Sequence, residues 1–265
     1  MHKLKLTKLL IEFFKYQGTG NDFIIIDDRK ELFDINDNNL IKSLCERRFG
    51  IGSDGLILFR NHNKHDFEMI YFNSDGKQSS MCGNGGRCII SFANLLRIIE
   101  DKCNFIAIDG LHEGIFSDEN ISLKMMDVKD VDVRDNSVIL DTGSPHLIKI
   151  VENIESVNVN SKGRKIRNKE EFISEGINVN FVQIGEEINM RTYERGVEEE
   201  TLSCGTGIVA TAIALYEIGE TDKKQLNINT KGGTLSVSFD VENRTYTNIW
   251  LSGEASMVYA GEFEC

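Results

Sequence analysis

Two short glycine-rich motifs, each beginning with a cysteine, are the main candidates for chemistry in this chain. Cys82 begins CGNG, and Cys204 begins CGTG 122 residues further on. An apolar, helix-like run follows each motif, so each cysteine is predicted to stand just before a helix start. Unpaired backbone N–H groups and the positive end of the helix dipole favour a thiolate there. We therefore predict that both thiols have a pKa below the ordinary value of about 8.5.

Two such cysteines on opposite sides of one carbon atom can invert its configuration. Sulfurs at near-attack distance from the same carbon lie roughly 7 Å apart. Two thiolates at that distance repel each other by about 2.4 kcal/mol at an effective dielectric constant of about 20, which favours one thiolate and one thiol. The thiolate then removes a proton from one face, and the thiol delivers a proton to the other. The backbone N–H groups of both helix starts would bind the adjacent carboxylate.

Both motifs belong to an internal repeat. TGNDFII, which begins at Thr19, corresponds to TGSPHLI, which begins at Thr142, and Gly110 corresponds to Gly232. The offset is 122 or 123 residues for these pairs and for the two cysteine motifs. Recurrence in one order at one offset indicates a duplicated unit.

The repeated elements predict an α/β (α+β) fold. The runs that follow Cys82, through Ile99, and Cys204 are apolar on almost every face, so each must form an enclosed helix. Strand-like segments surround both runs. We predict two pseudo-symmetric domains, each a curved β-sheet or barrel around a central buried helix, with the active crevice between them. The predicted bounds are an N-terminal extension 1–10, a first domain 11–129, a second domain 130–254, and a tail 255–265 that returns to the first domain.

Composition and charge exclude several classes of protein. The 265 residues are 40% hydrophobic and 27% charged, as in a globular protein, and the formal net charge of −12 disfavours nucleic acid and anionic membranes as partners. The chain has neither an apolar run long enough to span a membrane nor a secretory signal, so we expect a cytoplasmic protein.

No metal or cofactor site is predicted. The six cysteines include no CxxC pair, and His62 and His65 have no cysteine pair near them in the sequence. GTGND and CGNGG complete neither GxGxxG nor a Walker loop. The cysteines outside the two motifs are interpreted as structural or incidental: Cys45, Cys88, Cys103 and Cys265.

The motifs resemble those of the diaminopimelate epimerases, amino acid epimerases that work without pyridoxal phosphate. The resemblance runs from about Ile11 to Glu262 and is carried by GTGNDFIIID, RRFGIGSDGLI, FNSDGKQSSMCGNGGRC, TGSPH, INVNFVQI and YERGVEEETLSCGTG. It implies a homodimer of two-domain chains that needs no cofactor. The implied reaction interconverts LL- and meso-diaminopimelate, a small-molecule substrate of lysine and cell-wall precursor synthesis.

The resemblance also assigns residues. It implies that Cys82 and Cys204 are catalytic, and that His146 and Glu194 tune the two cysteines. The substrate-binding positions that it implies are Asn21, Asn73, Gly83, Asn84, Asn178, Glu194, Arg195, Gly205 and Thr206. Arg195 can pair bidentately with the distal carboxylate of such a substrate.

The chain departs from the family pattern in three places. Family members often have Asn where this chain has Ser144, and some have Gln where it has Gly55. The stretch between Arg195 and Cys204 is one residue longer than the commonest family spacing. None of these departures touches the cysteine pair, so they bear on specificity rather than on reaction type.

Other functions remain open at this stage. A related two-cysteine isomerase would act on proline, hydroxyproline or histidine. A thiol hydrolase would use Cys204 and His146 and would not need Cys82. A non-catalytic binding module would not exchange the α-hydrogen of its ligand.

Overall fold

The computed structural model describes residues 10–117 and 120–264. The predicted extension, apart from Leu10, and Cys265 lie outside the described residues. The first half of the chain forms β1 (Leu10–Gly18), β2 (Asn21–Asp27), α1 (Asn38–Cys45), β3 (Gly55–Arg60), β4 (Phe67–Asn73), α2 (Gly83–Leu95), β5 (Lys102–Ala107), β6 (Gly110–Ser117) and β7 (Asn120–Lys124).

The second half repeats this order of elements with three additional strands. It forms β8 (Val131–Arg134), β9 (Ser137–Asp141), β10 (Pro145–Ile150), α3 (Val159–Arg167), β11 (Asn178–Ile184), β12 (Ile188–Glu194), β13 (Glu199–Thr201), α4 (Gly205–Glu217), β14 (Gln225–Thr230), β15 (Gly233–Glu242), β16 (Thr245–Gly253) and β17 (Ser256–Glu264).

Strand pairing is the same in the two halves. From β1 to β7 the successive neighbours pair antiparallel, parallel, antiparallel, parallel, antiparallel and antiparallel. The series β9, β10, β11, β12, β14, β15 and β16 shows the same six orientations in the same order. Helices α1 and α3 occupy equivalent connections, and so do α2 and α4. The predicted fold class, two pseudo-symmetric α/β units, is confirmed.

The two halves join edge to edge through β7 and β16. These strands pair antiparallel, with Leu123 opposite Leu251 and Ile121 opposite Gly253. Strand β17 crosses back and pairs antiparallel with β1. The exact domain bounds 11–129 and 130–254, and the assignment of the tail to the first domain, stay predictions.

Helices α2 and α4 lie inside the sheets, as their apolar sequences predict. The middle of α2 is buried from Gly83 to Ile90, and α4 is buried from Gly207 to Leu215. Small residues in α4, such as Ala210 and Ala214, let the strands approach on every side. Within the described residues, no helix combines the length and apolarity needed to cross a bilayer.

The predicted extent of α2 was too long. The helix ends at Leu95 rather than continuing through Ile99. Arg97 takes a left-handed conformation (φ 58°), and the N–H of Ile98 donates to the carbonyl of Ala93 at 3.0 Å. This hydrogen-bond pattern closes the C-terminus of a helix, and it leaves Leu95 about half exposed (49%).

Candidate active site

The N-termini of α2 and α4 meet at the junction of the two halves. Cys82 and Cys204 are the N-cap residues of these helices, and both have extended backbones. A Cβ atom built on Gly83 would lie 3.9 Å from Gly205 Cα, and one built on Gly205 would lie 3.7 Å from Gly83 Cα. The two cysteines therefore flank one point, at which two sets of unpaired helix N–H groups converge.

In the first half of the chain, side-chain amides surround Cys82. The Cys82 thiol donates to Asn21 Oδ1 at 3.5 Å, and Asn84 Nδ2 donates to the same oxygen at 3.2 Å. Asn21 Nδ2 in turn donates to Asp54 Oδ2 at 2.6 Å. The carboxylate of Asp54 thus fixes the amide of Asn21 with its oxygen toward the sulfur.

A charge network that runs from the exposed Arg47 to the buried Lys15 holds Asp54 in place. Arg47 Nη2 lies 2.6 Å from Asp22 Oδ1 and 2.7 Å from Asp54 Oδ1, so it bridges the two carboxylates. Lys15, which is 5% exposed, pairs with Asp22 at 2.7 Å and donates to the Gly52 carbonyl. Burial opposes ionisation of Asp22, but the hydrogen bonds from Arg47 and Lys15 lower its pKa to about 2.

In the second half of the chain, the Thr206 hydroxyl connects His146 to Cys204. His146 Nε2 lies 2.9 Å from Thr206 Oγ1, which lies 3.6 Å from Cys204 Sγ. Asn180 Nδ2 lies 3.1 Å from His146 Nδ1, and Thr192 donates to Asn180 Oδ1 at 2.8 Å. Because Asn180 donates to Nδ1, the proton of the neutral imidazole resides on Nε2.

His146 is held in its neutral form. Its side chain is fully buried, and this burial, together with the positive charge of Arg195, lowers the pKa of His146 to about 3. An imidazole with such a pKa is a hydrogen-bond donor at neutral pH rather than a cation. It bonds the Thr206 hydroxyl, which in turn contacts Cys204.

Glu194, at the end of β12, is the carboxylate whose charge acts on both cysteines. Thr201 Oγ1 donates to Glu194 Oε2 at 2.8 Å. Burial raises the pKa of this carboxyl, the Thr201 hydrogen bond opposes the rise, and the charge of Asp54 adds to it. When ionised, Glu194 disfavours a thiolate on both Cys82 and Cys204.

The prediction of lowered cysteine pKa values was wrong. Burial raises the pKa of both thiols and outweighs the N–H groups that point at them. For Cys82 those groups are the amides of Gly85 and Asn84, and for Cys204 they are the Thr206 hydroxyl and the Gly207 amide. The helix start favours a thiolate, but desolvation in the junction is the larger effect.

A third cluster of polar groups surrounds Asn178 and Arg195. Asn178 Nδ2 donates to Ser144 Oγ at 2.8 Å and to the Pro145 carbonyl at 3.1 Å, while its Oδ1 accepts from Arg195 N at 2.8 Å. Arg195 Nη2 donates to Ser144 Oγ at 3.1 Å, and Nη1 donates to the Glu175 carbonyl at 3.0 Å. Within residues 10–117 and 120–264, Arg195 makes no ion pair, so its charge is available to a carboxylate ligand.

The predicted site residues form separate contacting groups: one is Cys82, Asn21 and Asn84, another is Cys204, Thr206 and His146, and a third is Asn178 and Arg195. Asn73 ends β4 and is exposed, and its register partner Gly55 lies beside Asp54. The position of Gly55 excludes any side chain, because a Cβ atom there would lie 2.5 Å from the Tyr71 ring and 2.6 Å from the Phe72 carbonyl oxygen.

Four residues that shape the site were not predicted from the sequence. They are Asp54, Arg87, Asn180 and Thr201. Asp54 and Arg87 lie inside motifs quoted above, so their positions were visible although their contacts were not. Asn180 and Thr201 also lie inside quoted motifs, INVNFVQI and YERGVEEETLSCGTG, but their contacts with His146 and Glu194 were not visible in the sequence.

Solved structures with the same fold define the class of protein. A phenazine biosynthesis protein of the PhzF family from Bacillus anthracis superposes with a TM-score of 0.75 at 16% identity, covering 96% of this chain and 99% of that one. A hydroxyproline epimerase from Agrobacterium vitis superposes with a TM-score of 0.69 at 12% identity, covering 96% of this chain and 92% of that one. The chain therefore has the two-lobed fold of this PhzF-family protein and this hydroxyproline epimerase.

The amino-acid sequence identifies the family to which the chain belongs. The family model for diaminopimelate epimerase matches residues 13–127 and 138–258. Proteins named diaminopimelate epimerase are 51% identical in Flavobacterium psychrophilum (94% of this chain, 98% of the relative) and 40% identical in Chlorobaculum tepidum (92% and 98%). The chain belongs to the diaminopimelate epimerase family, and its relatives are isomerases.

Proposed function

We propose that this protein interconverts LL- and meso-2,6-diaminopimelate in lysine and peptidoglycan precursor synthesis, by a two-base mechanism that needs no cofactor. The observation that carries the proposal is the meeting of two helix N-termini, each capped by a cysteine. Membership of the family, with a named relative at 51% identity, supports the choice of substrate.

The reaction requires one thiolate and one thiol. The thiolate of one cysteine takes the α-proton, and the electron pair of that C–H bond spreads into the α-carboxylate. The thiol of the other cysteine then donates its proton to the opposite face, which forms the new C–H bond and leaves that sulfur as the thiolate. Each turnover therefore exchanges the protonation states of Cys82 and Cys204.

The helix starts supply the electrostatic part of catalysis. In the proposal, the backbone N–H groups of Gly83, Asn84, Gly205 and Thr206 bind the α-carboxylate and stabilise the charge that develops on it. Preorganised donors of this kind typically contribute about 3 kcal/mol each to transition-state stabilisation. Because the same groups face both cysteines, they serve both directions of the reaction.

Residues around the helix starts hold the rest of the substrate. Asn21 and Asn73 lie on the side of the first half, where their amides suit an ammonium and a carboxylate group. Arg195 pairs with the distal carboxylate, and Asn178 positions the Arg195 backbone for that contact. Glu194 and His146 adjust the two sulfurs, Glu194 through its charge and His146 through Thr206.

We further propose a cytoplasmic homodimer. The mechanism needs free thiols, and the five described cysteines are unpaired, which suits a reducing compartment. Among the described strands, β17 pairs only with β1, and it exposes Met257 (48%), Val258 (58%) and Tyr259 (44%). An open strand edge with exposed apolar side chains favours pairing with a second copy. Light scattering should report a dimer for the native chain and a monomer for Val258→Lys.

Incubation with LL-diaminopimelate in heavy water tests the function. We expect the meso isomer to form, with deuterium at the inverted carbon. A panel of proline, hydroxyproline and histidine should show no exchange. Exchange of one of these three amino acids without action on LL-diaminopimelate would contradict the proposal, and so would binding without exchange.

A further inference from the structure

Arg87, in helix α2, is a fully buried arginine without an acidic partner. Its side chain is 0% exposed, and no carboxylate among the described residues pairs with it. The guanidinium donates to three neutral oxygens: Asn84 Oδ1 at 2.9 Å, Thr19 Oγ1 at 3.3 Å and the Gly83 carbonyl at 3.3 Å. Its Nε has no hydrogen-bond partner in the described part of the chain.

A buried cation of this kind calls for a nearby anion. Guanidinium groups keep their proton in proteins, and an uncompensated buried charge costs several kcal/mol. Burial lowers the pKa of Arg87, and two neighbouring cysteines, Cys88 and Cys82, act against that shift when ionised. Cys88 lies in the hydrophobic core, where burial raises its pKa far above neutrality. Burial raises the pKa of Cys82 as well, but the backbone N–H groups of Gly85 and Asn84 stabilise its thiolate, so Cys82 is better placed than Cys88 to supply the missing charge.

The contacts of Arg87 connect it to the start of its own helix. It bonds the carbonyl of Gly83, the residue that follows Cys82, and it also holds Asn84. The other end of the Asn84 amide donates to Asn21 Oδ1, which accepts from Cys82. Arg87 thus orients the amides around this sulfur as well as bringing a charge close to it.

The second half of the repeat has no such cation. The residue 122 positions after Arg87 is Val209, which is apolar and fully buried. The charge on that side is instead the carboxylate of Glu194. After burial, it is the second largest cause of the raised pKa of Cys204. In the first half, the position that corresponds to Glu194 is the neutral Asn73. Glu194 also acts on Cys82, and more strongly than Arg87 does, so the two cysteines share this negative charge and differ in the buried cation, which only Cys82 has.

We propose that Arg87 is a positioning residue whose buried charge makes Cys82 the more readily ionised cysteine of the pair, so that Cys82 rather than Cys204 supplies the thiolate. This inference rests on the proposed two-base function, and it adds which sulfur first acts as the base.

Four other groups affect the ionisation of Cys82. Asn21 Oδ1 accepts from the thiol and so favours the protonated form. Glu194 disfavours a thiolate on either sulfur. Tyr71 is buried and stays neutral, because burial raises its pKa. Cys204 disfavours a second negative charge, so that one ionisation suppresses the other.

Thiol titration tests the assignment without measuring epimerisation. Cys82 is titrated in Cys204→Ser and Cys204 in Cys82→Ser, each by the pH dependence of iodoacetamide alkylation followed by peptide mapping. We expect the midpoint for Cys82 to lie about one pH unit below that for Cys204, which is about tenfold in thiolate fraction. Midpoints are compared rather than rates because the two sulfurs differ in exposure.

Substitution of Arg87 then tests whether its charge causes the difference between the two midpoints. Arg87→Met in the Cys204→Ser background should raise the Cys82 midpoint by about one unit, and in the Cys82→Ser background it should leave the Cys204 midpoint nearly unchanged. Arg87→Lys, the conservative control, should keep the Cys82 midpoint low. Equal midpoints, the reverse order, or a Cys82 midpoint unmoved by Arg87→Met would overturn the inference. If Arg87→Met does not fold, the order of the two midpoints and the Arg87→Lys result still decide.

The outcome is independent of the proposed reaction. Failure of deuterium exchange would contradict the epimerase function and leave the titration unchanged. Normal exchange with the wrong order of midpoints would contradict only the role of Arg87.

Discussion

Asn21 Oδ1 lies 3.5 Å from Cys82 Sγ, so an amide oxygen rather than an amide N–H faces this sulfur. The orientation follows from Asp54, which takes the N–H₂ group of the same side chain at 2.6 Å. The carboxylate of Asp54 binds the N–H₂ group of Asn21, so the carbonyl oxygen of this amide is the group that faces the cysteine.

Asp54→Asn should therefore impair catalysis although Asp54 is not a proposed ligand. The change removes a hydrogen bond to a charged group, worth about 1.5 to 3 kcal/mol, and frees Asn21 to rotate. We expect kcat/KM to fall about 10- to 100-fold in steady-state assays of diaminopimelate epimerisation. The control is Asp75→Asn, an exposed carboxylate that pairs with Lys77. Equal activity of the two variants would show that Asp54 does not orient the site.

Cys82→Ala and Cys204→Ala should each abolish turnover. Each cysteine removes or donates a proton in every cycle, and loss of such a group costs about 10²- to 10⁴-fold. Cys103→Ala, a change at a buried core cysteine, serves as the control and should keep most of the activity. A Cys82→Ala enzyme with most of its turnover intact would instead support a single-nucleophile hydrolase.

Ser144→Ala should weaken substrate binding more than it slows chemistry. The hydroxyl accepts from both Asn178 and Arg195, so its loss frees the guanidinium that is proposed to bind the distal carboxylate. We expect KM for diaminopimelate to rise about tenfold, equivalent to about 1.4 kcal/mol, with kcat nearly unchanged. Ser156→Ala, in an exposed turn, is the control. A fall in kcat at constant KM would place Ser144 in the chemical step instead.

His146 should make the protein less stable as the pH falls. Its pKa is about 3 in the folded chain, below the unfolded value of about 6.5. Between these values the unfolded chain binds a proton that the folded chain does not, so the free energy of unfolding falls by up to about 1.4 kcal/mol per pH unit. Above about pH 6.5 the residue makes no such contribution. Urea unfolding between pH 7 and pH 4.5 should show a shallower decline in His146→Gln, and parallel declines would rule out this linkage.

Oxidation should inactivate the enzyme reversibly. Two cysteines that flank the same pair of abutting helix starts are placed to form a disulfide once oxidised. We expect air or diamide to abolish activity, dithiothreitol to restore it, and mass spectrometry to identify a Cys82–Cys204 bond. Cys204→Ser should yield no such bond. Loss of activity that a reductant does not reverse would contradict this geometry.

The repeat and the two cysteine motifs were sufficient to predict the fold class and both helix N-caps. These features depend on local sequence, since glycine after cysteine and an apolar run of helical length specify a capped, enclosed helix. The thiol pKa values could not be predicted in this way, because burial of Cys82 and Cys204 is produced by residues far away in the chain. Asp54 and Arg87 were missed for the same reason, since their importance lies in contacts with Asn21 and Asn84.

Leu251 lies on the strand that joins the halves, and its Cδ2 would be 3.3 Å and 2.9 Å from Cβ atoms built on Gly83 and Gly205. The strand pair that joins the halves thus runs directly beside the two helix starts. One leucine side chain packs against both of them, so a change in its volume would alter the surroundings of both cysteines at once.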